Sequence, residues 1–143
     1  MVLDKPNELV AVSSSGSDDA VGSRVRVGSG IAGRVAATRE GLLIAGPADP
    51  AEFPGLTESE RNITSALSVP LVNRNALFGV LNVHSGSDRC YTEYDLQALS
   101  LFAEQAAGAL ANARLYETER KHLERAELAR EFGALHEVEV AYA

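Results

Sequence analysis

Apolar and polar positions alternate over short stretches in the first two-thirds of the chain, then recur every three or four residues in the last third. Period two marks half-buried strands and a three-to-four spacing marks a helix, so the pattern predicts strands and loops followed by one long helix. Met1-Val2-Leu3 and Glu8 to Ser14 read as two strands, joined by a turn at Asp4-Lys5-Pro6-Asn7. Ser13 to Asp19 is a polar loop, and Ser23 to Val27 alternates again. After the break at Gly28-Ser29-Gly30, Ile31 to Thr38 fits a short helix with Ile31 and Val35 on one face, ended by Gly41. Leu42 to Ala45 is a short buried strand.

Three prolines and two glycines make Gly46 to Thr57 a long loop, and long structured loops often act as lids. Thr57 followed by Glu60 has capping-box spacing for a brief helical turn. Ala66 to Val72 and Leu77 to His84 are the clearest strands, with Asn73 to Ala76 as a tight hairpin loop. Pro70 cannot donate a ladder bond, which calls for an edge, a bulge or a locally unpaired position.

Thr92 caps a helix predicted from about Glu93 to Phe132, on the order of 60 Å long. Its apolar stripe runs through Leu96, Leu99, Ala103, Ala106, Leu110 and Ala113, with small residues around Gly108. From Glu117 onward charges are dense and the apolar positions thin to Leu123, Leu128 and Phe132. A helix of this length outgrows a small domain and calls for a partner helix, most simply a second copy. The change in composition at Glu117 divides the chain into a domain over 1–116 and a helix and tail over 117–143.

Composition narrows the function. With 143 residues, 45% hydrophobic and 23% charged, the chain has the make-up of one globular domain. Thirteen Lys and Arg against twenty Asp and Glu give a net charge of −7, which speaks against nucleic acid and against a basic membrane-binding patch. No apolar run approaches a membrane span, and Asp4, Lys5 and Pro6 interrupt any signal-peptide core. The single cysteine, Cys90, excludes an internal disulfide, and the expected compartment is the cytoplasm.

Candidate chemistry is sparse. Gly28-Ser29-Gly30-Ile31-Ala32-Gly33 matches GxGxxG after a strand and before a helix, with Asp49 about twenty residues on. No further alternating βα units follow, so the glycines read as shaping a strand-to-helix turn and close packing, with an anion contact at the helix N-terminus as the alternative. His84, His122, His136 and Cys90 lack metal-ligand spacing, and no metal site is expected. His84 lies six residues before Cys90, with Asp88 and Asp95 as the acids near that loop; no catalytic residue is assigned there. Asp18, Asp19, Glu58 and Glu60 read as solvating acids. Asn82 and His84 point opposite to Leu81 and Val83, so their face is either solvent or a polar-lined cavity.

Five segments in this order resemble a GAF domain, a ligand-sensing fold related to PAS. They are Val27 to Ala36, Ala66 to Leu71, Phe78 to Val83, Tyr91 to Leu99 and Phe102 to Ala113, and the resemblance covers about residues 1 to 116. It implies an α+β fold: a central antiparallel sheet of five to six strands, helices, and a long C-terminal helix. It implies a non-catalytic regulatory domain that binds a small molecule, dimerises through its helices and signals to an effector not present in this chain. The usual N-terminal helix is missing, so the chain reads as a fragment or a short form whose helical face is under-covered. No bilin, haem or cyclic-nucleotide motif is present, so the cofactor is unknown, and the cysteines of methionine sulfoxide reductases are missing.

The expected ligand contacts are Phe53 on the Gly46–Leu56 lid with Ser68, Asn82 and His84 on the strands. The expected dimer contacts are Leu110, Ala113, Leu123 and Leu128. The alternative is a ligand-free scaffold that acts only in dimerisation.

Overall fold

The computed structural model describes residues 1–15, 20–56, 58–85 and 90–133. Asp18, Asp19, Thr57, Asp88 and His136 lie outside them, as do the side chain of Glu58 and the tail beyond residue 133. Two compact units divide the chain, Met1–Gly108 and Ala109–Ala143.

Six antiparallel strands form one sheet: β1 (Val2–Lys5), β2 (Glu8–Val10), β3 (Arg24–Arg26), β4 (Leu42–Ala45), β5 (Ser65–Asn73) and β6 (Ala76–Ser85). Their order is β3-β2-β1-β6-β5-β4. The helices are α1 (Gly30–Thr38), the single turn α2 (Glu58–Arg61) and α3 (Glu93–Gly133). This is the antiparallel sheet of five to six strands with a long C-terminal helix that the resemblance implies.

The β5–β6 hairpin closes on Arg74 and Asn75, both with positive φ (49° and 65°), between the paired Asn73 and Ala76. Positive φ at both central residues is the turn whose twist matches the strands it joins. Arg39 donates from its guanidinium to the Asn75 carbonyl and ties α1 to this turn. Pro70 pairs with Val80, whose N–H points to the Met1 carbonyl at 2.7 Å and away from β5. In an antiparallel ladder Pro70 then turns its nitrogen toward the β4 side. There the β4 ladder has ended at Leu42↔Ser68, so the missing donor leaves no gap. Gly79 permits the close approach of β1, because a Cβ there would collide with the Met1 carbonyl.

The sequence pattern placed the end of α1 at Gly41. The structure ends it at Arg39, which adopts a left-handed φ of 60° and donates its N–H to the Val35 carbonyl at 2.8 Å. Gly41 is small for another reason: a Cβ there would sit 3.3 Å from Leu96 of α3 and 3.4 Å from Val69 of β5.

Strand alternation gives the sheet two faces. Against α1 lie Ile44, Ala66 and Val80, buried with Ile31, Ala32, Val35 and Ala36. On the opposite face Leu67, Val69 and Leu71 are buried, and Leu96 of α3 and Val69 both lie beside Gly41. On α3, Ala103 and Ala107 are fully buried. The start of α3 is a reciprocal cap: Asp95 N–H donates to the Thr92 hydroxyl at 3.3 Å, and Thr92 N–H donates to the Asp95 carboxylate at 2.9 Å.

Candidate functional site

The α1 face of the sheet is where the expected contacts gather. Its entry is the glycine turn. Gly28 and Gly30 hold φ of 95° and 62°, and a Cβ on Gly33 would collide with the Arg26 carbonyl. The Gly28 N–H donates to the Gly33 carbonyl at 2.7 Å and the Ser29 N–H to the Arg26 carbonyl at 3.0 Å. The first helix amides are used within the chain: Gly30 N–H donates to the Pro54 carbonyl at 2.8 Å, and Ile31 N–H meets a Glu60 carboxylate oxygen at 3.4 Å. The helix dipole favours a negative group there, and the chain supplies one itself. Glu60 thus replaces the external anion weighed from sequence, where it read as a solvating acid.

Asp49 builds the next turn. Its carboxylate accepts the Ala51 N–H at 2.9 Å, and its carbonyl accepts the N–H groups of Glu52 and Phe53. This turn delivers Phe53 into a buried cluster with Ile31, Ile44, Ala48, Leu56, Ile63 and Ala66. Arg34 of α1 lies over the Phe53 ring at 4.9 Å and donates to the Glu52 carbonyl at 3.3 Å, with the Glu52 carboxylate at 3.7 Å. The Gly46–Leu56 segment is therefore fastened to α1 at three points: Pro54, Glu52 and Phe53.

Ser68, Asn82 and His84 share the α1 face, in the pairs Ser68↔Asn82 and Ala66↔His84. Ser68 is 1% exposed and donates its hydroxyl to Asn82 Oδ1 at 2.6 Å, while Asn82 and His84 are exposed. These are side-by-side positions of the kind where the Cα atoms approach closest, which brings the short side chains within reach. Two surface depressions are outlined elsewhere. One, of about 620 Å³, lies at Lys5–Glu8, Arg26 and Val27. The other, of about 430 Å³, is lined by Gly41, Leu96, Gln97, Ser100, Leu101 and Glu104. Neither is bordered by Phe53, Ser68, Asn82 or His84.

Remaining chemistry is limited. Among the described residues no group of His, Cys, Asp and Glu could hold a metal ion, and Cys90 is an exposed thiol. Arg24 on β3 bonds Asp4 at 2.7 Å and approaches Glu8 at 3.5 Å. That hydrogen bond holds the Asp4 carboxyl below its ordinary value and raises the Arg24 guanidinium. No helix among the described residues is long and apolar enough to cross a membrane.

Of the expected dimer contacts, all in the second unit, Leu110 is half-buried, Ala113 is exposed, and Leu123 and Leu128 are 66% and 50% exposed. At 3.6 residues per turn Leu110 and Leu128 stand five turns apart on one line of α3, and Leu123 lies about 140° away. Sequence reading passed over three other exposed apolar groups of the first unit, Tyr94, Leu101 and Phe102, because the first stripe already explained the helix.

Three comparisons bear on identity. A GAF domain family profile matches residues 1–111. A probable 3',5'-cyclic phosphodiesterase of Caenorhabditis elegans, pde-5, is 32% identical over 133 residues, covering 92% of this chain and 18% of the relative. The chain therefore spans under a fifth of that protein's length. Among solved structures, the GAF-B domain of DevS from Mycobacterium smegmatis is 27% identical with a TM-score of 0.60, covering 81% of this chain and 77% of the other. The GAF domain of a phosphoenolpyruvate-protein phosphotransferase from Coxiella burnetii has a TM-score of 0.60 at 22% identity, over 71% and 62% of the two chains. With the six-stranded sheet, the α1 turn and the profile over most of its length in agreement, the chain belongs to the GAF domain family.

Proposed function

We propose that this GAF domain is a non-catalytic regulatory module that binds a small molecule on the α1 face of its sheet. The observation that carries the reading is the Ser68–Asn82 hydrogen bond, a polar pair set beside the apolar cluster that holds Phe53. Asn82 offers a carboxamide and His84 an imidazole on the same exposed face, and a ligand seated there would touch both. Entry from the loop side requires the Gly46–Leu56 segment to part from Arg34, so ligand binding and the position of that segment are coupled. The domain associates through α3 with a second copy, with Leu110, Ala113, Leu123 and Leu128 as contacts, and passes its state to an effector. A lone cysteine and a net charge of −7 fit a cytoplasmic protein that does not bind nucleic acid.

The test is thermal unfolding with a small-molecule panel that includes cyclic AMP and cyclic GMP. A ligand at one hundred times its Kd stabilises the fold by about 2.7 kcal/mol. The expected result is a raised Tm with one ligand class, lost in Asn82→Ala. No shift across the panel leaves the scaffold reading, in which the domain serves only for association. Sedimentation of the chain cut after Ala113 then measures how much of that association the tail carries.

A further inference from the structure

The hydrogen bond between Ser68 and Asn82 decides which end of the asparagine faces outward. Ser68 is 1% exposed, and its hydroxyl lies 2.6 Å from Asn82 Oδ1. A hydroxyl has one proton to donate, and at that burial water is not there to accept it. Among the described residues Asn82 Oδ1 is the acceptor it has. Were the carboxamide turned end for end, its N–H2 would donate to the serine oxygen and the serine proton would lose its acceptor. An unmade bond in a buried place is the costly outcome, so burial of the serine selects the orientation with Oδ1 inward.

The outward end of Asn82 is therefore the N–H2, which donates and does not accept. Among the described residues it has no partner, and the residue is exposed. His84 follows on the same face, also exposed, about 7 Å further along the strand. The residues opposite these two on β5 are the short Ser68 and Ala66, and Val80, two positions before Asn82, is fully buried. Asn82 thus stands where the apolar face of the sheet gives way to solvent. A molecule seated there meets a donor whose direction is set before binding.

A donor held in advance discriminates by chemistry. A ligand acceptor gains a bond to it. A ligand N–H placed there gains none and sets two donors facing each other.

We propose that the α1-face site takes small molecules that present a hydrogen-bond acceptor (a carbonyl, a carboxylate or an unprotonated ring nitrogen) to Asn82, and that Ser68 is the positioning residue that sets this preference. The proposal rests on the small-molecule reading above and adds the chemistry of the group that is recognised.

The experiment uses two planar bicyclic probes of similar size, both neutral near neutral pH, so that the net charge of the chain does not decide the result. Quinoline offers a ring nitrogen that only accepts, and indole an N–H that only donates. Each is titrated into the isotope-labelled full chain and followed by NMR at the Asn82 carboxamide and at the backbone amides of Ala66, Ser68 and His84. Quinoline is expected to bind about fivefold more tightly than indole, the worth of one hydrogen bond, and to shift the carboxamide N–H2 resonances. Asn82→Asp keeps an oxygen for Ser68 and makes the outward end an acceptor, so the preference is expected to invert. Ser68→Ala lets the carboxamide present either end, and the preference is expected to vanish while both probes still bind. A ratio unchanged in Ser68→Ala overturns the positioning role. Equal or reversed binding to the wild type, or a preference for quinoline that survives Asn82→Asp, overturns the acceptor preference and leaves the small-molecule reading standing. No response of these resonances to either probe or to the wider panel overturns that reading, and the proposal with it.

Discussion

Ser68 and Asn82 stand directly opposite each other on β5 and β6, and the buried serine hydroxyl donates to the exposed asparagine oxygen at 2.6 Å. The pair is asymmetric. Asn82 can turn to water when its partner is removed, and Ser68 cannot.

That asymmetry predicts unequal costs. Ser68→Ala is expected to lower stability by about 1 kcal/mol, the net worth of one hydrogen bond. Asn82→Ala strands the buried hydroxyl and is expected to cost about 2 kcal/mol. The double variant should be less destabilised than the two added together. Urea unfolding of the three variants measures this, and equal single costs would contradict it.

The glycines of the α1 turn separate two effects. Gly28→Ala meets nothing within 4 Å and bears only the strain of a positive φ, about 1 kcal/mol. Gly33→Ala drives a methyl into the Arg26 backbone carbonyl and is expected to cost about 3 kcal/mol. Thermal unfolding should rank them in that order.

Arg34 fastens the Gly46–Leu56 segment through the Phe53 ring and the Glu52 carbonyl. Arg34→Ala is expected to cost about 1 kcal/mol in global stability. It should also speed hydrogen exchange of the Phe53 amide, which donates to the Asp49 carbonyl, severalfold, because the segment leaves its cluster more often. Exchange at the wild-type rate would mean that the apolar cluster alone holds the segment.

The Asp4–Arg24 pair predicts a pH dependence. Arg24 holds the Asp4 carboxyl below its ordinary value, so the folded state favours the ionised form. Its contribution is complete above about pH 4 and is lost as pH falls through the lowered folded value. Both groups are well exposed, so the effect is small and salt weakens it. Melting curves of wild type and Asp4→Asn should converge as pH is lowered from 5 to 2.

At the start of α3, Thr92→Ala removes the hydroxyl that accepts the Asp95 N–H. A lost cap of this kind costs about 1 kcal/mol. Chemical denaturation should register it without a change in the denaturant slope.

Where a structural feature is set by neighbours in the chain, the residues announced it. Asn73 to Ala76 had turn chemistry, and Arg74 and Asn75 adopt the positive φ it requires. Thr92 and Asp95 have helix-start character and form the reciprocal cap. The glycines of 28–33 read as a strand-to-helix turn, and they make one. Gly41 was misplaced because its reason lies in Leu96 and Val69, far from it in sequence.

The candidate site was legible only as a set of residue types. Asn82 and His84 announced a polar face by alternation, but the hydrogen bond to Ser68 depends on the register of β5 against β6. Glu60 looked like a solvated acid, because nothing within a few residues of it indicates that the α1 amides lie 3.4 Å away. Phe53 packs with Ile31, Ile44 and Ala66 under Arg34, contacts with residues distant in sequence that its own neighbours do not announce.

Local conformational preference and periodicity act over a few residues, so strands, turns, caps and the extent of α3 could be read from composition and spacing alone. Which strand lies beside which, and which carboxylate reaches which amide, depends on contacts between residues tens of positions apart. Those contacts form only when the apolar faces of the sheet, α1 and α3 are buried together, and the chain's local chemistry does not specify that arrangement one residue at a time.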